Sequence, residues 1–105
     1  MYEGDVILCG SSAYTRKYYL SSDFEALPEE VKKELQVTCV LFTEDVGGTI
    51  TFLFNEDGEL EIRTEADEED ILYDEIGSVL KVKQIQREQK ELLEALETYY
   101  KVFFE

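Results

Sequence analysis

Thirteen carboxylates and a single base, Arg63, fall between Glu44 and Glu75, a net charge of −12 out of the chain's −15. Charged side chains at this density stay in water, so any fold must carry much of this stretch on its surface. Ile76 to Glu105 holds five acids against five bases. The acidity therefore belongs to one region and is not spread evenly for solubility.

A chain of 105 residues forms one domain, residues 1–105, with a single modest core. Thirteen aromatics let it fold without metal or disulfide support. The opening residues Met1 to Asp5 lack the basic region of a signal peptide, and no run of eighteen apolar residues exists. A cytoplasmic chain with no membrane partner is expected. Cys9 and Cys39 lie inside the apolar runs VILC and VTCVLF and read as buried free thiols.

Histidine is absent. That excludes Ser-His-Asp and Cys-His catalysis, histidine metal sites and a histidine pH switch. Two separated cysteines cannot supply four zinc ligands. Phosphate contacts need clusters of Lys and Arg, so nucleic acid is not an expected partner.

Val6 to Cys9 reads as a short strand ending at Gly10. Residues 11–20 read as a short helix capped by Ser11 or Ser12, or alternatively as a second strand. Pro28 suits the first position of a helix, with Glu29 and Glu30 at its positive end and Leu27, Val31 and Leu35 on one face. Val37 to Asp45 is apolar on both faces, as in a central strand. Gly47-Gly48 then fits a two-residue turn with positive φ, leading into a strand from Thr49 to Phe54.

The next turn, Asn55 to Gly58, is decided by parity. A three-residue loop with Gly58 left-handed pairs Phe54 with Leu60 and Phe52 with Ile62, whereas two or four residues would set the phenylalanines opposite glutamates. The predicted inner face is Val37, Cys39, Leu41, Ile50, Phe52, Phe54, Leu60 and Ile62. Glu59, Glu61 and Arg63 point outward from a charged edge strand.

From about Asp67 the period is helical. Ile71, Leu72, Ile76, Val79 and Leu80 form one stripe; Val82, Ile85, Leu92, Leu96, Tyr99 and Phe103 form a second. The two do not run on continuously, which predicts a bend or break near Gly77 to Lys83. The expected architecture is α+β: an antiparallel meander of three or four strands, with helices packed on one face and a long C-terminal helix.

Several residues invite chemistry and resist it. Asn55, Asp57 and Gly58 fail as a calcium loop, because Leu53 and Thr64 would occupy the first and twelfth positions. Glu44 and Asp45 lack a pocket for paired acid–base work. Cys39 lacks a base to make thiolate. The run from Glu65 to Glu75 is self-repelling, and as the start of a helix it gains from the dipole. Glu44, Asp45, Glu59, Glu61, Glu65, Asp67, Glu68 and Asp70 are the residues expected to meet a basic protein partner. No catalytic residue and no cofactor are expected; Asp67, Asp70 and Asp74, with Glu44, are the candidate oxygen ligands for Mg²⁺ or Ca²⁺ in the alternative reading. In the tail, Tyr99, Tyr100, Phe103 and Phe104 cannot all face one side of a helix. With Leu92 and Leu96 they form the expected interface of a homodimer.

Three stretches, LCGSSAYTRKYYL, VLFTEDVGG and ILYDEIGSVLKVKQIQREQKELLEALETYYKVFF, together resemble a family of small bacterial proteins classed as a domain of unknown function. The resemblance covers nearly the whole chain. It implies a cytosolic bacterial setting and brings no catalytic, cofactor or binding residue.

The functional expectation is a non-enzymatic interaction domain: an acidic adaptor, a chaperone-like partner, or an inhibitor of a basic protein. The alternatives are a divalent-metal or small-molecule-binding enzyme that uses carboxylates, and a structural subunit that assembles through the C-terminal helix.

Overall fold

One proline and three left-handed glycines set the main element boundaries. In the computed structural model, which describes residues 5–104, the elements are β1 (Val6–Ser12), β2 (Lys17–Leu20), α1 (Glu29–Val46), β3 (Thr49–Phe54), β4 (Leu60–Glu65), α2 (Glu75–Glu88) and α3 (Lys90–Phe104). A single 3₁₀ turn covers Ser22–Phe24. Met1 to Gly4, read above for a signal peptide, and Glu105 lie outside the described residues. The strands form one antiparallel sheet in the order β2-β1-β3-β4. The class is α+β, as predicted, but the sheet is no simple meander. α1 crosses between β2 and β3, and β3 returns to pair with β1.

The β3–β4 hairpin has the predicted register, with Phe54 opposite Leu60 and Phe52 opposite Ile62. Asn55 N–H donates to the Glu59 carbonyl at 2.9 Å, which leaves a three-residue loop, and Gly58 takes φ +80°. The Asn55 side chain fixes the loop further by accepting from the backbone N–H of Asp57 and Glu59.

Residues 11–20 form the second strand, not the helix. Ser12 Oγ accepts from the N–H of Tyr14 and Thr15, so the serine caps a turn, and Arg16 closes it at φ +55°. Ser11 stays in β1, opposite Tyr18. Within β1 the pairing with β3 slips by one residue between Ile7 and Cys9, a bulge at Leu8.

The central-strand reading of Val37 to Asp45 is corrected: α1 continues to Val46. The stripe that begins with Leu27, Val31 and Leu35 runs on through Cys39, Phe42 and Val46 at helical spacing, and these residues are buried or packed on the core. Val37 and Leu41 lie on the opposite face and are about half exposed, so they leave the predicted inner face. An apolar run this short fits either period, and no glycine or proline interrupts the helix to arbitrate. Gly47 and Gly48 both have positive φ as expected, but they join a helix to a strand. A Cβ on Gly48 would collide with the Glu65 carbonyl oxygen and lie 2.7 Å from the Tyr73 ring.

The rest of the inner face stands: Ile50, Phe52 and Phe54 are buried, Leu60 and Ile62 partly so, and residues of all three helices join them in one core. The break in the C-terminal helical region falls at Gln89, not within Gly77 to Lys83. Gly77 sits in the first turn of α2, where its N–H is held by the Asp74 side chain, so it opens the helix instead of kinking it. α3 docks its aromatic end within the same chain. Phe24, Phe54, Tyr100 and Phe104 close a ring of four stacked contacts with centroids 4.3 to 5.7 Å apart.

Candidate interaction surface

The acidic segment from Asp67 to Asp74 is not the start of a helix. Two aspartates in it, Asp70 and Asp74, accept from nearby backbone N–H groups, and such bonding competes with helix formation. Asp70 Oδ1 accepts from Leu72 N–H at 3.0 Å, and Asp74 Oδ1 accepts from Gly77 N–H at 2.8 Å as the cap of α2. Tyr14, from the turn between β1 and β2, holds the segment from outside. Its hydroxyl donates to Asp70 Oδ2 at 2.6 Å and accepts from Asp67 N–H at 3.0 Å. That hydrogen bond to the Asp70 carboxylate raises the Tyr14 pKa above its ordinary value.

The far end of the segment is tied to the glycine turn. Asp74 N–H donates to the Val46 carbonyl at 3.2 Å, and Tyr73 Oη donates to Ser78 Oγ at 2.7 Å. Between these anchors Tyr73 packs on the core, while Ile71 and Leu72 turn outward. Ile71 is 93 % exposed and Leu72 88 %. On α2, Ser78, Val82 and Ile85 take the core side, which leaves Ile76, Val79 and Leu80 each more than half exposed. The first stripe read from the sequence is therefore split: Ile71 and Leu72 lie in the turn segment and Ile76, Val79 and Leu80 on α2, and all five face solvent. Glu68, Glu69, Asp74 and Glu75, all exposed, lie among these aliphatics in the chain.

The other acidic candidates are dispersed. Asp45 pairs with Lys81 at 2.9 Å and ties α1 to α2. Glu44 lines a cleft of about 400 Å³ between α1 and the β1–β2 hairpin, with Arg16, Lys17 and Tyr18 around it and the Ser11 and Thr43 hydroxyls 3.1 Å apart. Glu59 lies at the hairpin tip, at the other end of β4 from Glu65. Glu61 is engaged: the Asn55 amide at 2.8 Å, then Arg63 at 3.1 Å, hold its pKa below the ordinary carboxylate value. Asp67, Asp70 and Asp74 do not share a helical face, since residues 67–74 are turns. No group of three His, Cys, Asp or Glu among the described residues is placed to hold a metal ion.

The expected oligomer residues divide. Leu96 and Tyr100 are buried in the chain's own core, and Leu92 and Tyr99 pack against it. Phe104 is covered in part by Phe24 and Tyr100, while Phe103 is 68 % exposed. Cys9 and Cys39 are free, buried and 3.9 Å apart at sulfur. The contact with Cys9, then burial, pushes the Cys39 thiol pKa up. Burial, then the neighbouring Cys9, does the same to Tyr18.

Sequence reasoning passed over one feature. Arg16, Lys17, Lys32 and Lys33 are four of the chain's ten bases within eighteen residues, and the fold brings them to one side, along α1 and β2. Their clustering in an acidic chain was the available signal.

No helix among the described residues is long and apolar enough to cross a membrane. No curated protein and no solved structure matches the chain. One family model does match, over residues 5–105, and on that match the chain belongs to a family of unknown function, DUF6145.

Proposed function

We propose that this chain is a non-enzymatic protein-interaction domain that engages a partner segment both apolar and basic. The observation that carries the reading is the set of five exposed aliphatics, Ile71, Leu72, Ile76, Val79 and Leu80, interspersed with Glu68, Glu69, Asp74 and Glu75. Exposed large aliphatics gathered in one stretch and rimmed by charge are a mark of interaction sites. The aliphatics supply contact area, and the acids select a cationic surround and speed its approach. Of the candidate carboxylates, Glu65, Asp67, Glu68 and Asp70 line one open hollow together with Val79. Two buried thiols left unjoined at 3.9 Å support a reducing, cytoplasmic setting.

The test is co-purification from the native host with the unaltered chain and with the pair Ile71→Ser and Leu72→Ser, at low and high salt. A basic partner should be retained by the unaltered chain and lost by the variant. It should also weaken steeply with salt, because exposed charges are screened within about 10 Å at 0.1 M. A partner that is not basic, or that the variant holds equally well, defeats the reading.

Assembly through α3 is the second reading, supported by the exposed Val102 and Phe103. Light scattering at tens of micromolar separates it: a strict monomer removes it.

A further inference from the structure

The two edges of the sheet are finished differently. On β4, the Leu60 N–H is taken up by Glu97 Oε2 at 2.8 Å, so α3 covers the start of that edge. β2 has no comparable cover. Ser21 N–H donates to the Leu8 carbonyl at 2.9 Å, which makes Gly10/Tyr19 and Ser12/Lys17 the hydrogen-bonded pairs of the β1–β2 ladder. Tyr18 and Leu20 therefore aim their N–H and C=O groups away from β1, and no hydrogen bond from a described residue reaches them.

α1 runs beside this open edge with a groove between. One cleft, of about 400 Å³, holds the buried hydroxyls of Ser11 and Thr43. A second, of about 510 Å³, lies between Leu20 and Lys33, and Tyr18 lines both. The groove carries Arg16 and Lys17 at one end and Lys32 and Lys33 at the other, against Glu29 and Glu44. Lys32 is already paired with Glu29 at 2.8 Å. Arg16, Lys17 and Lys33 have no ion-pair partner among the described residues. Arg16 is also held at φ +55°, a conformation that glycine adopts without strain.

We propose that this groove accepts an extended acidic peptide, which adds to β2 as a fifth strand. Backbone pairing with Tyr18 and Leu20 would supply affinity, and alternate side chains would enter the two clefts. Carboxylates on the peptide would meet Arg16, Lys17 and Lys33. A short edge strand bearing lysine is protected against casual pairing, and that protection depends on charge: it repels a basic strand and attracts an acidic one. A second copy of β2, Lys17–Leu20, would bring no carboxylate to Arg16, Lys17 and Lys33. The surface differs from the acidic one above, and the inference stands independently of it.

The test uses the full chain, labelled with nitrogen-15, and synthetic nonapeptides in which Glu or Asp alternates with Val, Ile, Thr or Tyr. Versions with Lys in place of the acids are the controls. At least one acidic peptide should bind with a Kd below about 1 mM, shift the Tyr18 and Leu20 amides, and slow their hydrogen exchange. N-methylating one alternate set of peptide amides should weaken binding about tenfold, and the other set should have little effect, because only one set faces β2. The pair Arg16→Gly and Lys33→Gln should also weaken binding, and the φ at position 16 suits glycine. The proposal is overturned by any of four results: no acidic peptide binding, equal binding of the lysine controls, shifts centred on Ile71 to Leu80, or indifference to which set is methylated. Concentration-dependent protection of Tyr18 without peptide would assign the edge to a second copy and overturn it as well.

Discussion

Tyr14 Oη donates a 2.6 Å hydrogen bond to Asp70 Oδ2 across 56 residues of sequence, and the same oxygen accepts from the Asp67 backbone. One phenol thus fixes the acidic loop to the β1–β2 turn. Tyr14→Phe removes both contacts and keeps the ring. Amide exchange across residues 67–73 should speed up at least tenfold, with β3 and β4 unchanged. Exchange that stays slow in the loop would mean that Asp70 and Asp74 hold it without help.

Gly47 and Gly48 look alike in sequence and should respond differently to alanine. At Gly47 the new Cβ meets nothing closer than 3.9 Å, so only backbone strain counts, about 1–3 kcal/mol at φ +84° and ψ −166°, a region essentially confined to glycine. At Gly48 the Cβ also collides with the Glu65 carbonyl, and overpacking brings the total to about 3 kcal/mol. Urea denaturation of the two variants gives the comparison directly. Equal losses would contradict the close approach of β4 to this turn.

The four-ring cluster makes Phe24 a keystone and leaves Phe103 outside. Phe24→Ala should cost about 3–5 kcal/mol, since the ring is fully buried between Phe54 and Phe104. Phe103→Ala should change stability by no more than about 0.5 kcal/mol. A large loss at Phe103, together with a change in oligomeric state, would shift weight to assembly through α3.

Alkaline pH should weaken the fold. Tyr14 is raised by its bond to Asp70, and Tyr18 and Tyr19 are raised first by burial. A raised folded pKa means that the stability each phenol contributes is fully present below its unfolded value, near 10, and is lost as pH climbs through the folded value. Tyr18→Phe removes a buried hydroxyl with no hydrogen-bond partner among the described residues. That variant should be as stable as the parent at pH 7 and should lose less above pH 10, followed by circular dichroism. An unchanged alkaline transition would show that Tyr18 does not drive it.

What the sequence disclosed depended on how many residue choices had to agree. The β3–β4 register was legible because Phe52, Phe54, Leu60 and Ile62 tolerate only one loop length, and Gly58 supplies the left-handed residue it needs. Pro28 marked the start of α1 to within one residue. The helix itself was misread midway, since Val37 to Phe42 carries apolar residues on both sides and Val37 and Leu41 face water without any sequence sign of it. The acidic loop was misread for another reason. Its spacing is helical, but the Asp70 and Asp74 side chains are spent on a turn bond and a cap, and Tyr14 lies too far away in sequence to be seen. The open edge of β2 was invisible because strand order is a tertiary fact.

The bulge at Leu8 determines which way the start of β1 faces. Past it, Val6 returns opposite Phe54 on the inner side of the sheet, and the Asp5 carboxylate reaches Arg63 at 3.2 Å. With the same residues and no bulge, Ile7 would fall opposite Phe54, and alternation would turn Val6 to the outside and Asp5 inward. Deleting Leu8 would keep Val6 opposite Phe54 and remove one buried side chain from the core, whereas straightening the strand with Leu8 retained would be a frame error in three dimensions. That error would exchange an ion pair for an acid facing hydrocarbon, at a strand whose length would scarcely change.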